Sequence, residues 1–253
     1  MRITFLGTNG WYDSTTGNTP SALIDTKDYY IVLDAGFGIY KLSDHLNENK
    51  PVFLFISHFH IDHICGLHTL TKLNPSLASD ELKELTILGP KKLKKTLETF
   101  TGLPYSLPLN ELGFKIKYLE LKPGKHQLPF DVTCLPLEHV VPTLGYRFTL
   151  EGKTIVYCSD TAVCPNDLEL SKDADLLIHE CAFLPGHTSS WGHTNPEGAA
   201  GLARDAGVKK LFLTHLGADG YFTLEKRKEA ESLAKTIFPE TTVASDDLQI
   251  EVR

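Results

Sequence analysis

Residues 52–63 read VFLFISHFHIDH. The first five, Val52 to Ile56, form a continuous apolar run, which predicts a strand buried on both faces. A polar cluster follows at once, with three histidines and one aspartate between His58 and His63. Polar side chains at the end of a buried strand need partners or a metal ion. Imidazole nitrogens and carboxylate oxygens are ligands that zinc selects, so this stretch predicts a metal site.

The spacing inside this cluster suggests two ions rather than one. Residues two apart on an extended segment face the same way, so His58 and His60 can reach one ion together. Asp62 and His63 stand at the expected start of the next helix, where they can turn toward a second ion. We therefore expect the cluster to supply ligands to a pair of divalent cations.

The chain has 253 residues, of which 42% are hydrophobic, and its formal net charge is −7. This length predicts a single domain spanning residues 1–253. The acidic balance argues against a general nucleic-acid coat protein, which would be basic. No apolar stretch approaches the roughly 20 residues that span a bilayer, so no membrane association is expected. Five cysteines without a C-x-x-C pair, and an N-terminus without a signal sequence, predict a cytoplasmic protein.

Predicted strands outnumber predicted helices, and the two types alternate along the chain. Strands are expected at 3–6, 21–25, 30–34, 52–56, 85–88, 115–121, 132–137, 143–150, 154–159, 176–179, 210–214, 241–244 and 248–252. Helices are expected at 37–46, 63–73, 91–100, 196–206 and 224–237. Interleaving of this kind predicts sheets that are covered by helices.

Four later residues stand at strand ends or in loops, where sites on rigid scaffolds are usually built: His139, Asp160, His193 and His215. His139 can join His58 and His60 around one ion, and His215 can join Asp62 and His63 around the other. Asp160 is the natural bridge, because one carboxylate can give an oxygen to each ion. Two ions about 3.5–4 Å apart would hold a water molecule between them and lower its pKa toward neutrality.

In this order, HFHIDH, His139, Asp160 and His215 resemble the metal motifs of the metallo-β-lactamase superfamily. The likeness is nearer to ribonuclease Z and its short phosphodiesterase relatives. It is carried by residues 177–217, LIHECAFLPGHTSSWGHTNPEGAAGLARDAGVKKLFLTHLG, and by FLGTNG and DAGFG near the start of the chain. The resemblance covers nearly the whole chain. It implies an α/β fold, the four-layer αβ/βα sandwich, with a dinuclear site between two sheets.

The resemblance also implies roles for single residues. The metal ligands would be His58, His60, Asp62, His63, His139, Asp160 and His215. Asp62 and His193 are the candidate catalytic residues, and Glu180 would orient His193, although a plain exposed or salt-bridged carboxylate is the alternative for Glu180. As a residue that binds no metal, His193 could donate a proton to the leaving oxygen. The expected ions are two Zn²⁺, with Mn²⁺ or Fe²⁺ as alternatives.

The leading functional hypothesis is a phosphodiesterase in which a metal-bridging hydroxide attacks phosphorus. Its substrate would be an RNA 3′ end, a cyclic nucleotide or another small phosphodiester. The same ligand set would equally serve a lactone or thioester hydrolase, and the ligands alone do not separate the two. A di-iron oxygen-reducing enzyme is disfavoured because His60 stands where such relatives carry Glu. The intact ligand set disfavours a module that binds without catalysis.

Two features bear on an RNA substrate. The span from Phe100 to Val132 is too short and too strand-like for the long glycine-proline arm with which ribonuclease Z grips tRNA. The family's His-Ser-Thr loop appears here as Gly192-His193-Thr194-Asn195. Both features argue against tRNA 3′-processing, but neither argues against phosphodiester hydrolysis in general.

A few polar residues are left outside the predicted site. The basic run Lys91 to Lys95 is interpreted as the solvated face of a helix, with phosphate contact as the alternative. His68, His179 and His187 are interpreted as residues that bind no metal. The family resemblance further admits a homodimer, which the residues themselves do not show.

Overall fold

The computed structural model describes residues 1–73 and 84–252. The strands are β1 Arg2–Gly7, β2 Asn9–Gly10, β3 Ser21–Asp25, β4 Tyr30–Leu33, β5 Val52–Phe55, β6 Glu84–Gly89, β7 Lys115–Glu120, β8 Gly124–Gln127, β9 Asp131–Leu137, β10 Thr143–Leu150, β11 Lys153–Cys158, β12 Leu176–Glu180, β13 Leu211–Thr214, β14 Leu216–Gly217, β15 Thr241–Val243 and β16 Gln249–Glu251. The α-helices are α1 Ile61–Ile64, α2 Leu93–Thr101, α3 Pro165–Ser171, α4 Pro196–Asp205 and α5 Leu224–Ile237. The 3₁₀ helices are Phe37–Asp44, Cys65–Leu73 and Leu109–Glu111.

The chain divides into two compact units. One comprises Met1–Gly7, Asn18–Leu121 and Asp246–Arg253, and the other comprises Thr8–Gly17 and Lys122–Ser245. We call them the first and the second unit. Each contains one large sheet with helices packed on it. The expectation of a single domain spanning residues 1–253 stays a prediction.

The sheet of the first unit has the order β16-β1-β3-β4-β5-β6-β7. Strands β3 and β4 form the expected antiparallel hairpin, while β4, β5, β6 and β7 run parallel. Every residue of β5 is buried, as its apolar run predicts. Leu54 and Ile56 join the core that also holds Leu93 and Leu97 of α2. The polar cluster from His58 onward therefore begins at the carboxyl end of an interior strand.

The sheet of the second unit has the order β15-β13-β12-β11-β10-β9-β8. Strands β8 to β11 form an antiparallel meander, and β11, β12, β13 and β15 are parallel. Helices α4 and α5 pack Ala199, Ala203, Ala230 and Ala234 into the core of this unit. Because β11, β12 and β13 are parallel, the residues that follow them meet at one edge of the sheet.

The structure corrects several predicted elements. The first helix beyond the histidines begins at Ile61 rather than at His63, and it continues as 3₁₀ helix from Cys65. The helix predicted at 37–46 is a 3₁₀ helix, in which Gly38 lies so close to Gly7 that a β-carbon on Gly38 would come within 2.6 Å of the Gly7 nitrogen. Strands β2, β8 and β14, helix α3 and the 3₁₀ helix Leu109–Glu111 were not predicted from the sequence.

One buried ion pair in the second unit gives a pH-dependent prediction. Burial would lower the pKa of His179, but the Asp167 carboxylate, 3.0 Å from Nε2, raises it to about 9. The folded pKa lies above the ordinary 6.5, so the pair stabilises the fold fully below pH 6.5 and loses that effect as pH rises toward 9. We expect His179→Ala to lower the free energy of unfolding at pH 6 by about 3–5 kcal/mol.

Urea unfolding at pH 6 and at pH 9.5 measures this effect. The stability difference between the wild type and His179→Ala should shrink at the higher pH. His187→Ala, which removes an exposed histidine of the same unit, serves as the control and should show no such change. If His179→Ala lowered the free energy of unfolding equally at both pH values, the pair could not be charged.

Candidate functional site

The predicted ligands of the first unit are packed tightly together. His58 and His63 are fully buried, and Asp62 is 3% exposed. The ring of His58 lies 4.6 Å from the ring of His60 and 4.1 Å from that of His63, measured between centroids. His60 is the extended residue that precedes α1, so Asp62 and His63 come from the first turn of that helix. The change from strand end to helix start thus gathers all four side chains.

Two further residues of the first unit, Asp34 and Ser57, fix the orientation of the buried rings. Asp34 Oδ2 accepts from Nδ1 of His63 at 2.8 Å and from the hydroxyl of Ser57 at 2.7 Å. With its only proton given to Asp34, Ser57 Oγ accepts from Nδ1 of His58 at 3.0 Å. Both histidines therefore carry their proton on Nδ1 and offer Nε2 as the ligand atom. Outer carboxylates commonly orient metal-binding histidines in this way.

The donor set of the first unit fits a divalent cation. Nε2 of His63 lies 3.6 Å from Oδ2 of Asp62, beyond hydrogen-bond distance. Both atoms are of the ligand type, and both belong to buried side chains. A carboxylate oxygen and a neutral imidazole nitrogen that face the same space are what zinc binds.

Asp34 is the functional residue that sequence reasoning missed here. Its side chain is buried, and its backbone has φ +54°, a conformation that residues other than glycine rarely adopt. The signal was present, since Asp34 follows a buried strand in the segment IVLDAG. A lone aspartate at a strand end is, however, equally typical of a turn.

In the second unit, three polar side chains stand where parallel strands end. Asp160 follows β11, Glu180 closes β12, and His215 follows β13. Glu180 pairs in register with Thr214, the residue before His215. These three residues therefore share the carboxyl edge of one sheet, the usual location of binding sites in parallel sheets.

The two oxygens of Asp160 face different histidines. Oδ1 lies 3.2 Å from Nε2 of His215, and Oδ2 lies 3.8 Å from Nε2 of His139. Nδ1 of His139 donates to the carbonyl of Gly192 at 3.0 Å, which leaves Nε2 as its ligand atom. Burial lowers the pKa of His139 despite the nearby Asp160 carboxylate, and this favours the neutral ring that binds metal. The arrangement is what a bridging carboxylate requires.

Glu180 holds His193 beside this carboxylate. Oε1 of Glu180 accepts from Nδ1 of His193 at 2.8 Å and from two backbone N–H groups, while Oε2 accepts from the N–H of Ala182 at 2.7 Å. Of the two alternatives for Glu180, burial excludes the exposed carboxylate, while the salt-bridged carboxylate is the pair with His193. His193 stacks on the ring of His215 with centroids 5.8 Å apart. Ligand-type atoms of Asp160, His193 and His215 all lie within 4.8 Å of one another.

The structure therefore brings together His58, His60, Asp62 and His63 in the first unit, and His139, Asp160, His193 and His215 in the second. His179 is bonded to Asp167, and His68 and His187 are exposed. The seven-ligand set drawn from both units stays a prediction. Across the described ranges, 1–73 and 84–252, no helix combines the length and apolarity that crossing a membrane demands.

A glycine, Gly10, leaves room for the imidazole ring of His215 in the second unit. Gly10 lies so close to His215 that a β-carbon on it would come within 2.6 Å of Cε1 and Nδ1 of the imidazole. Its strand, β2, pairs with Leu216 and Gly217, which follow His215 directly. We expect Gly10→Ala to displace the ring, to lower bound metal, and to reduce activity at least about tenfold.

Metal content by elemental analysis and the rate of hydrolysis check this expectation. Gly201→Ala in α4 is the matched control, because a β-carbon there meets no atom within 4 Å. Unchanged metal content and rate in Gly10→Ala would show that the His215 position is not critical.

Comparison with known proteins supports one family. The model of the β-lactamase superfamily domain matches residues 29–216. Ribonuclease Z of Methanosarcina mazei is 28% identical over an alignment that covers 100% of this chain and 98% of that protein. The probable metallo-hydrolase YhfI of Bacillus subtilis is 31% identical, with 94% of each chain covered.

Solved structures agree with these matches. The crystal structure of Bacillus subtilis YhfI superposes with a TM-score of 0.81 at 26% identity, covering 99% of both chains. Human tRNase Z, short form, superposes with a TM-score of 0.77 at 24% identity, covering 100% of both chains. The second likeness shows the fold alone. Together these matches confirm the α/β fold class expected from the sequence.

Proposed function

The chain belongs to the metallo-β-lactamase superfamily, and on that basis we propose that it is a two-metal hydrolase acting on phosphodiesters. One observation supports the two-metal part of the proposal: the two oxygens of Asp160 face Nε2 of different histidines, His139 and His215. The cluster of the first unit, HFHIDH, supplies the remaining ligand types.

We assign one ion to His58, His60 and His139, and the other to Asp62, His63 and His215, with Asp160 shared between them. Zn²⁺ is the proposed ion, because imidazole and carboxylate ligands suit it; Mn²⁺ and Fe²⁺ are the alternatives. When bound, such ions lower the pKa of a water molecule and polarise a phosphoryl oxygen. The carboxylate of Asp62 would fix the direction from which a water molecule approaches phosphorus.

His193 is the proposed proton donor to the leaving oxygen. Its Nδ1 is engaged by Glu180, so Nε2 is the nitrogen that would carry the transferred proton. The hydrogen bond to the carboxylate of Glu180 fixes the direction of the ring. Three backbone N–H groups hold this carboxylate in place, so its bond to His193 would orient the donor before substrate binds.

The length of the chain supports the proposal of a small phosphodiester rather than tRNA as the substrate. The alignment with Methanosarcina mazei ribonuclease Z spans 313 positions against the 253 residues of this chain, a difference of 60. The alignment with YhfI spans 242 positions and has no such excess. Residues 100–132 hold a helix end, a 3₁₀ turn and strands, as expected for a segment without an RNA-gripping arm. A cytoplasmic location and a homodimer stay predictions from the sequence.

A substrate panel tests the proposal. Hydrolysis of bis(p-nitrophenyl) phosphate is compared with that of a lactone and of a thioester, on protein of known zinc content. We expect turnover of the phosphodiester. Turnover of the lactone or the thioester without any phosphodiester hydrolysis would contradict the proposal in favour of a carbonyl-ester hydrolase with the same ligands.

A further inference from the structure

The first unit contains a pocket of about 830 Å³ that none of the predicted ligands lines. One wall is formed by Phe59, Ile61 and Ile64, which alternate with the ligand residues along the same short segment. The opposite wall comes from α2 and the turn after it. The volume lies within the roughly 300–1,000 Å³ typical of small-molecule sites.

The floor of this pocket is preformed and apolar. Phe59 and Phe100 both pack against the hydrophobic core of the unit, and Ile64 is 3% exposed. The hydroxyls of Thr99 and Thr101, which also line the pocket, donate to helix carbonyls at 2.8 and 2.7 Å. These polar groups are therefore satisfied within the helix. An apolar group could therefore enter without breaking the hydrogen bonds of these two hydroxyls.

The rim of the pocket is positively charged. Lys92 and Lys95 line it, and among the lining residues that the structure describes none is a carboxylate. Lys94 of the same helix lies instead over the ring of Tyr118, 5.9 Å from its centroid. The chain as a whole has a net charge of −7, so a positively charged rim is unusual on it and indicates an anionic ligand.

We propose that this pocket binds the substituent that stays on phosphorus, and that the substrate is an organic phosphodiester with an aromatic or aliphatic arm. The apolar arm would occupy the floor, and Lys92 and Lys95 would attract the negative charge beside it. His193, assigned to the leaving group, does not line this pocket. The inference rests on the proposed function for its reaction, but not for the binding that it predicts.

Kinetics with two substrates that share a leaving group test whether the pocket binds the retained substituent. Bis(p-nitrophenyl) phosphate and methyl p-nitrophenyl phosphate differ only in the retained substituent. After correction for their uncatalysed rates, the wild type should favour the aryl substrate about ten- to a hundredfold in kcat/KM. Thr99→Trp fills the pocket and should abolish this preference. Glu98→Trp places the same indole on a residue of α2 that does not line the pocket, and should keep the preference.

A second pair of variants truncates exposed side chains instead of adding an indole, and so disturbs folding less. Tyr105 is 76% exposed and lines the pocket, whereas Leu103 is 82% exposed and does not. Tyr105→Ala should raise KM for the aryl substrate with kcat unchanged, and Leu103→Ala should change neither. Equal aryl preference in the wild type, Thr99→Trp and Tyr105→Ala would overturn the inference.

Binding gives a readout that is independent of turnover. We expect Thr99→Trp to raise the Kd of 1-naphthyl phosphate, measured by calorimetry, about tenfold or more. Lys95→Ala should raise it about two- to fivefold, and Lys94→Ala should not change it. Loss of binding in Thr99→Trp without any phosphodiester turnover in the wild type would overturn the proposed function but support this pocket. Turnover with unchanged binding in every variant would overturn the pocket alone.

Discussion

Asp160→Asn should reduce kcat/KM for a phosphodiester at least about 10³-fold, because it removes the carboxylate proposed to join the two ions. An amide offers one neutral oxygen in place of two charged ones. It therefore cannot give a charged oxygen to each ion, as we propose for the carboxylate whose two oxygens lie 3.8 Å from His139 and 3.2 Å from His215. Bound metal should fall to about one ion per chain or fewer.

Asp175→Asn is the matched control for this variant. It removes the same charge from the same unit, at a residue whose carboxylate pairs with Lys209 at 2.8 Å. Its metal content and rate should stay within about twofold of the wild type. If Asp160→Asn kept two ions and the wild-type rate, Asp160 could not be the shared ligand.

His193→Ala should lower kcat on a phosphodiester by about 10²-fold or more while the metal content stays unchanged. The loss should depend on the leaving group. p-Nitrophenolate leaves easily without a proton, whereas phenolate needs one, so the defect should be larger for a phenyl ester. Glu180→Gln should show a smaller defect of the same kind, because it weakens the bond that orients His193.

His187→Ala provides the control, since it removes an exposed histidine from the segment before His193. A second control is metal content in each variant. The ligand-type atoms of Asp160, His193 and His215 lie within 4.8 Å of one another, so His193 is near enough to be a ligand itself. Loss of an ion in His193→Ala would assign it that role and exclude the proton donor.

The proposed ligand residues could be selected from the sequence because each stands at a break in an apolar run. Val52 to Phe55 form a fully buried strand, and the polar residues His58 and His60 follow it. Asp160 and His215 follow β11 and β13 in the same way. Strand ends are visible in a sequence, since hydrophobic periodicity stops there.

The residues that support the ligands could not be predicted in this way. Asp34, which follows β4, accepts hydrogen bonds from Ser57 and His63, more than 20 positions later in the chain. Gly10 lies beside His215, about 200 positions later. Nothing in local composition reports such contacts. Strand β8, Gly-Lys-His-Gln, has no apolar alternation and is defined only by its pairing with β9. Tertiary pairing decides its conformation rather than local preference.

The pocket was missed for a related reason. The run Lys91 to Lys95 was interpreted as a solvated helix face, and this holds for Lys94. Lys92 and Lys95, however, line a pocket whose other wall is the segment around Ile61. A helical pattern shows which residues avoid the core, but it does not show which other element they face.

Metal titration of chelator-treated protein tests the central claim most directly. Zn²⁺ is added in steps, and hydrolysis of bis(p-nitrophenyl) phosphate is measured at each ratio of ion to chain. The two-metal phosphodiesterase proposed here predicts activity that rises until about two ions are bound per chain and then stays constant. Full activity at one ion per chain, or no phosphodiester hydrolysis with two ions bound, would contradict it.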